Sequence, residues 1–436
     1  MTPSARVKAT IEIFERLEVG RVPMDAIVGD YMRQRRYIGS KDRANIVDRV
    51  YNIVRAQARI GWWLEMARME DTPRTRVLTW SVLSESMDIY DLFNGTKYGP
   101  NAPDAREKSY INKLKDLELM CADMPENVMV ECPPAHEEKL RAVFGADFVP
   151  EMQAMMEGAP LDMRVNIWRS DREKAKEALE KSGIEADETP ISPWGLRARE
   201  KIFLSKSKAY LKGWVEIQDE GSQMIAHVCD VKPGMQVLDY CAGGGGKTLA
   251  LAAAMQNKGR IVAADIDGRR LEKSRPRFKK GGVADIIEVR PLSDEKNRKW
   301  LRRQKESFDV VLTDVPCSGM GTWRRNPDMR WREYGPSLEE LVTIQAEILE
   351  KVAKCVKPNG KLVYATCSLL REENENQIEA FLKNHPEFSV LPLEESRGIG
   401  SPYMRLTPHR HNTDGFFAAV LQRSADSLLE KKNKDD

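Results

Sequence analysis

From about residue 221 this chain alternates short apolar strand-like runs with helical runs, and no other feature limits its fold as tightly. Val237-Leu-Asp239 reads as a short strand, residues 249–255 as an Ala/Leu-rich helix, and Arg260-Ile-Val-Ala-Ala264 as a second strand. Residues 308–312 and 361–365 supply two more strands, and Phe416-Phe-Ala-Ala-Val-Leu421 closes the series. Strands separated by helical crossovers imply a doubly wound, Rossmann-like α/β sheet.

The preceding half reads differently. Val7, Ile11, Phe14 and Leu17 recur at helical spacing, as do Ile46, Val47, Val50, Ile53 and Val54, with Ser40 as the expected N-cap. Trp62-Trp63-Leu64 is a third apolar cluster, and residues 94–103 are a turn-rich loop. Arg33, Arg35, Arg36, Arg43 and Arg49 form either a solvated face or an RNA-contacting one. Residues 121–136 carry Pro125, Pro133 and Pro134 and read as a linker. A small α+β unit follows: a strand over 163–168, a helix opened by the capping box Ser170-Asp-Arg-Glu173 and ended by Gly183, then strands at 201–204 and 214–217. That pattern suits a small RNA-binding sheet and a plain spacer equally. The expected division is helical over 1–120, α+β with its linker over 121–220, nucleotide-fold over 221–424, and a charged tail over 425–436.

A net charge of +2 requires any nucleic-acid site to be a local basic face. No apolar run reaches the roughly 18 residues needed to span a bilayer, and the N-terminus has no signal-like stretch. Seven irregularly spaced cysteines point to reduced thiols and a cytoplasmic setting. The five scattered histidines give no metal-binding spacing, so no metal is expected. No repeated interface pattern suggests more than a monomer.

Four glycines in Asp239-Tyr-Cys-Ala-Gly-Gly-Gly-Gly-Lys-Thr248 leave the backbone after a strand free of Cβ atoms, so that a ligand can approach closely. Cys241 occupies the place where a Walker loop needs glycine, and neither glycine pair has the third glycine of a dinucleotide loop. Asp265, ending the next strand, suits ribose hydroxyls. A ligand with a ribose and no pyrophosphate fits these facts, and S-adenosyl-L-methionine is such a ligand.

Two cysteines then stand at strand ends, Cys317 in Asp314-Val-Pro-Cys-Ser-Gly319 and Cys367 in Tyr364-Ala-Thr-Cys-Ser368. A thiolate that adds to C6 of cytosine turns C5 into a nucleophile, and the thiolate must later leave; this is covalent catalysis. A free thiol near pKa 8.5 needs about 2 kcal/mol of local stabilisation to ionise near pH 7. Asp314 is placed to face the base, where a carboxyl can bond N3 or N4. Cys317 stands where an amino-directed methyltransferase would carry a stacking aromatic. Cys121, Cys132, Cys229 and Cys355 read as structural. Arg324-Arg-Asn-Pro-Asp-Met-Arg-Trp-Arg332 is basic and aromatic just beyond the Pro-Cys tip, as an RNA-entry segment would be; the plainer reading is a packed loop.

These motifs, with Arg325-Asn-Pro-Asp328 and Asp414-Gly-Phe-Phe417, resemble the RsmB/Sun (Fmu) type of bacterial rRNA cytosine-C5 methyltransferase, and more widely the Nop/Sun RNA methyltransferases, over about residues 221–422. The resemblance implies Cys367 as the nucleophile and Cys317 as the thiol that assists release. It also implies cofactor contacts from Cys241, Ala242, Gly243, Gly244, Gly245, Gly246, Lys247, Asp265 and Asp314. The helical region resembles the NusB-like domain of RsmB-type enzymes and the α+β unit an RRM-like domain. Small-subunit (16S) rRNA is the expected substrate, with tRNA, DNA or a non-catalytic RNA scaffold as rivals. The chain departs from the family in having Gly244 where proline is usual. It also lacks the family's adenine-side Asp in Glu288-Val-Arg-Pro-Leu-Ser-Asp294, where Asp294 is the nearest acidic substitute.

Overall fold

A computed structural model of the chain describes residues 1–200, 202–393 and 399–425. They form two compact units, Met1–Glu157 with Trp323–Gly335, and Gly158–Thr322 with the residues from Pro336 onward.

The first unit is helical. Its longer helices are Pro3–Val19, Met24–Gln34, Ser40–Val54, Gln57–Met66, Pro73–Ser84, Ala105–Leu114 and Pro134–Phe144. The apolar positions that recur at helical spacing, among them Val7, Phe14, Leu17, Ile46, Val50 and Ile53, all lie in its core. Each such side chain contributes about 1.5–3 kcal/mol through burial. Ser40 begins its helix, but Gly39 is the cap residue. Residues 121–136 are packed, not extended. They carry a short helix and the fully buried Glu131, which accepts from the Ala58 N–H at 2.8 Å and from Arg59 Nε at 2.7 Å.

Trp323–Gly335 belongs to this helical unit, which corrects the expectation of an RNA-entry segment. Trp323 is completely buried. Asp328 accepts from the Met24 N–H at 2.9 Å, Arg55 donates to the Arg324 carbonyl at 3.0 Å, and Arg330 donates to the Met155 carbonyl at 3.0 Å. Arg330 and Arg332 donate to internal carbonyls, of Met155 and Gly20, and Trp323 is buried, so the resemblance of these residues to an RNA contact has a packing cause. Arg35 and Arg49 are likewise engaged, with Glu12 at 3.0 Å and Glu85 at 2.6 Å, whereas Arg36 is exposed and Arg33, also exposed, pairs with Asp30 at 3.4 Å.

The second unit opens with a four-stranded antiparallel sheet of strands β1 (Asp162–Val165), β2 (Ala186–Glu188), β3 (Gly195–Ala198) and β4 (Val215–Ile217), in the order β2-β3-β1-β4. The helix Arg172–Glu180 is capped by Asp171, whose side chain accepts from the Lys174 N–H at 2.8 Å. The strand expected at 201–204 is absent from the described residues: Leu204–Lys206 is a 3₁₀ turn, and Lys201 lies outside them. Alternation along β1 gives its two faces different roles. Met163 and Val165 join the apolar core of this small sheet. Asp162 and Arg164 face the other way into buried polar contacts. Arg197 pairs with Asp162 at 2.6 Å, and Arg164 donates to the Gly246 carbonyl at 2.6 Å.

The large sheet holds strands β5 (Gln236–Tyr240), β6 (Arg260–Asp265), β7 (Ile287–Pro291), β8 (Phe308–Asp314), β9 (Val356–Thr366), β10 (Phe388–Val390), β11 (Met404–Leu406) and β12 (Phe416–Arg423). Their order is β10-β12-β9-β8-β5-β6-β7, with β11 on β12. Strands β5 to β9 are mutually parallel, and β12 runs antiparallel to β9. Both faces are apolar and alternate by residue: Val237, Ile261, Val310 and Val363 enter one core, Leu238, Val262, Val311 and Leu362 the other. The chain turns one way from β5 to β6 and the other way to β8, so the topological switch point lies at the carboxyl ends of β5 and β8, the usual binding position in such sheets. Among the described residues no helix is long and apolar enough to cross a membrane.

Candidate active site

The glycine turn follows β5. Gly245 has φ +74° and caps the helix Gly246–Ala254, and a Cβ there would stand 2.6 Å from the Phe278 ring. Gly243 has φ +55°, and its N–H donates to Asp265 Oδ2 at 2.7 Å. Cys241 also takes a left-handed backbone, φ +69°. Ala242 ties the turn to β6, donating to the Ala264 carbonyl at 2.9 Å. Gly244 and Gly246 are not left-handed, so at position 244 the family's usual proline is not opposed by a positive φ.

Three carboxylates surround this turn. Asp239 is buried, accepts from Thr248 Oγ1 at 2.6 Å, and leaves Oδ1 without a hydrogen-bond partner. Burial pushes its carboxyl up to about 7. Asp265 receives the Gly243 and Asp267 N–H groups, each at 2.7 Å. Asp314 pairs with Lys247 Nζ at 2.6 Å. Lys247 is therefore committed to a carboxylate of the protein. Three acids around one ammonium suit a cationic ligand and disfavour a polyphosphate. Beside Asp265, Ile266 is 69% exposed and offers an apolar surface that sequence reasoning passed over. Asp294 accepts from the Lys296 N–H at 2.8 Å and caps the helix Glu295–Arg302.

The adjacent parallel strands β8 and β9 pair Asp314 with Ala365, which brings their tips level. Cys317 Sγ and Cys367 Sγ are 3.4 Å apart, both partly buried. The loop after Cys317 returns to β9, where the Gly321 N–H donates to the Cys367 carbonyl at 2.9 Å. The Gly415 N–H in turn donates to the Gly321 carbonyl at 2.8 Å, and a Cβ on Gly321 would lie 2.2 Å from the Gly415 carbonyl oxygen. The Cys317 thiol is held well above its ordinary value, by its contact with Cys367 first, then by burial and by the charges of Glu373 and Asp314. Lys247 acts electrostatically on Cys367. The remaining cysteines differ. Cys132 is pushed up to about 12, Cys355 to about 11, and Cys229 and Cys241 higher still, all chiefly by burial.

Sequence reasoning missed Glu373. This fully buried carboxylate accepts from the Ser318 N–H at 2.8 Å, from Ser318 Oγ at 2.5 Å and from Gln345 Nε2 at 2.9 Å, and it also accepts from Ser368 Oγ. It lies in the acidic run Arg371-Glu-Glu-Asn-Glu375, which has the composition of a solvated turn. Among the described residues no cluster of three or more His, Cys, Asp or Glu could hold a metal.

Comparison with known proteins agrees with this geometry. Residues 226–422 match the family described as 16S rRNA methyltransferase RsmB/F, and residues 137–202 match the RsmF/B-like ferredoxin-like domain. The probable ribosomal RNA small subunit methyltransferase B of a Synechocystis species is 33% identical over 271 residues, 61% of this chain and 60% of that protein. The match thus spans less than two thirds of that relative. The ribosomal RNA small subunit methyltransferase B of Yersinia pseudotuberculosis is 29% identical over 404 residues, covering 88% of this chain and 91% of that protein. Among solved structures, PH0851 is 27% identical with a TM-score of 0.76, covering 97% of this chain and 99% of that one. A methyltransferase homolog from Pyrococcus horikoshii is 28% identical with a TM-score of 0.57, covering 68% and 97%. With its glycine turn, its doubly wound sheet, its ferredoxin-like domain and these matches in agreement, the chain matches the RsmB/F methyltransferase family over residues 137–202 and 226–422.

Proposed function

We propose that this chain is an S-adenosylmethionine-dependent methyltransferase acting on C5 of a cytosine in RNA, with small-subunit rRNA as substrate. The observation that carries this reading is the pair of sulfurs 3.4 Å apart beside the Lys247–Asp314 ion pair, at the mouth of the glycine turn. The named relatives support rRNA as the polymer.

The acid-rich turn fits the cofactor. Its ribose hydroxyls suit Asp265, its cationic end suits the side of Asp239 and Asp314, and the backbone from Cys241 to Gly246 permits close approach. Bound S-adenosylmethionine supplies an electrophilic methyl group. The chain's own residues do the rest. Cys367 gives a sulfur lone pair to C6 of the base, and the π pair of the C5=C6 bond becomes available at C5. Lys247 lies within electrostatic reach of that sulfur. Asp314, at the end of β8, orients the base through N3 or N4. After methylation a base takes the C5 proton, the C5=C6 bond re-forms, and the C6–S bond breaks with its pair returning to Cys367. Cys317, in contact with that sulfur, assists this departure.

A cytosine inside a helix cannot reach such a crevice, so the target is an unstacked base in a loop or in unassembled rRNA. The helical unit, NusB-like on this reading, contributes RNA contacts through exposed groups such as Arg33 and Arg36. The enzyme works in the cytoplasm as a monomer. Incubation with labelled cofactor and rRNA, tRNA or DNA tests the substrate. Label at C5 of cytosine in small-subunit rRNA is expected, and label confined to DNA or absent from all three polymers contradicts the reading.

A further inference from the structure

Two thiols 3.4 Å apart cannot both be anions, because like charges at that range oppose each other; one sulfur must hold a proton while the other attacks. Charges of both signs act on the pair. On the Cys367 side stands the Lys247 ammonium. On the Cys317 side stands Glu373, whose carboxylate takes both the N–H and the hydroxyl of Ser318, the residue next to Cys317. The same carboxylate takes the hydroxyl of Ser368, the residue next to Cys367. Gln345, from the helix Leu338–Ala353, bonds Glu373 at 2.9 Å and the Pro316 carbonyl at 3.0 Å. Tyr364 Oη donates to the Glu373 carbonyl at 2.6 Å, fixing the turn itself. Four side-chain or backbone donors converge on the carboxylate, the pattern of an ionised acid.

We propose that Glu373 is a positioning residue for the two-thiol chemistry: it locks the two cysteine tips in register and, through its charge, keeps the sulfur proton on Cys317 so that Cys367 is the nucleophile. This rests on the reading above, and it assigns a task to a residue that touches neither sulfur. During attack the proton stays on Cys317 while the Cys367 lone pair forms the bond to C6. At release the C6–S pair returns to Cys367, and the Cys317 proton lies within the sulfur contact to neutralise it; its return to Cys317 restores the starting state. Among the described residues, other charged or titratable groups that act on the pair include Asp314 from β8, Lys247 from the helix Gly246–Ala254 and Tyr364 from β9. Asp314 bears on Cys317 with the same sign as Glu373. Arg405, which donates to the Leu369 carbonyl at 3.3 Å, is paired with Glu375.

The test is the pH profile of alkylation at each cysteine, read by mass spectrometry in the full chain. In Glu373→Gln the Cys317 midpoint is expected to fall by about one pH unit, with Cys367 alkylating more slowly at neutral pH. Methyl transfer falls by up to about 100-fold at unchanged KM for cofactor, and Glu373→Asp restores part of it. Ser318→Ala with Ser368→Ala strips two donors from the carboxylate and leaves its charge less neutralised, so the midpoint moves upward; this arm stands even where Glu373→Gln fails to fold. Unmoved midpoints in an active enzyme overturn the inference. A midpoint that shifts in Glu373→Gln, beside a wild type that never methylates cytosine, keeps the clamp and removes the functional reading instead.

Discussion

The Arg164 guanidinium of the ferredoxin-like sheet donates to the carbonyl of Gly246, the first residue of the helix that follows the glycine turn, at 2.6 Å. Arg164 is completely enclosed, and burial pulls its pKa down to about 10. Next to it Glu216 of β4 pairs with Lys280 at 2.7 Å and with Arg277 at 3.2 Å, and Arg277 also donates to the Gly244 carbonyl. One polar face of the small sheet is therefore occupied in holding the cofactor turn. Stacking of RNA bases on that face, as an RRM-like reading of the domain expects, has no room there.

Arg164→Met removes a buried, charged donor to the Gly246 carbonyl, at a cost of about 1.5–3 kcal/mol. Cofactor affinity is expected to fall about tenfold or more, with RNA affinity unchanged. Calorimetric titration with S-adenosylmethionine and a filter-binding assay with rRNA check the two halves of this expectation.

Asp239 carries a pH prediction. Its folded pKa, pushed up by burial to about 7, lies above its ordinary value of 3.8. Its contribution to folding is therefore fully present below 3.8 and is lost as pH rises through about 7. Thermal unfolding of the cofactor-free protein should lose a few kcal/mol of stability across that window. Asp239→Asn, which still accepts from Thr248, should flatten this component.

The run from Trp323 to Arg332 separates packing from RNA recognition. Trp323→Ala should destabilise the helical unit by about 3–5 kcal/mol, as expected of a large side chain removed from a core. Urea unfolding measures it. A variant of full stability and weakened RNA binding would restore the entry-segment reading.

What the sequence made legible was local. The strand–turn–helix of residues 237–255 lies in one stretch of chain, so its glycines and the acid at 265 can be read from spacing. The two cysteine motifs each follow a strand within a few residues, so their place at neighbouring tips follows once the sheet is parallel. The remainder depends on distant partners. Glu373 matters because Ser318, 55 positions away, reaches it. Trp323 is buried within the helical unit, with the His136 ring 6.0 Å from its own, and nothing in its sequence neighbourhood distinguishes a core tryptophan from a stacking one. Arg164 reads as the polar side of a half-buried strand over 163–168, and Asp162 lies just before it. Arg197 and the glycine turn bury them instead.

The sulfur contact gives a further expectation. A disulfide needs its sulfurs at about 2.05 Å, and the Cys317 and Cys367 sulfurs start 3.4 Å apart on adjacent tips. Diamide should therefore link them in the free protein and abolish methyl transfer, and dithiothreitol should restore it. Peptide mapping should find the link between these two cysteines, and a link elsewhere would contradict the geometry.

The central claim is tested most directly by a denaturing gel of the protein after incubation with S-adenosylmethionine and small-subunit rRNA. Cys317→Ala is expected to give a covalent protein–RNA band that persists, and Cys367→Ala to give neither band nor methylated cytosine. A covalent band formed through Cys317 in the Cys367→Ala protein, or full turnover in both variants, would contradict the account.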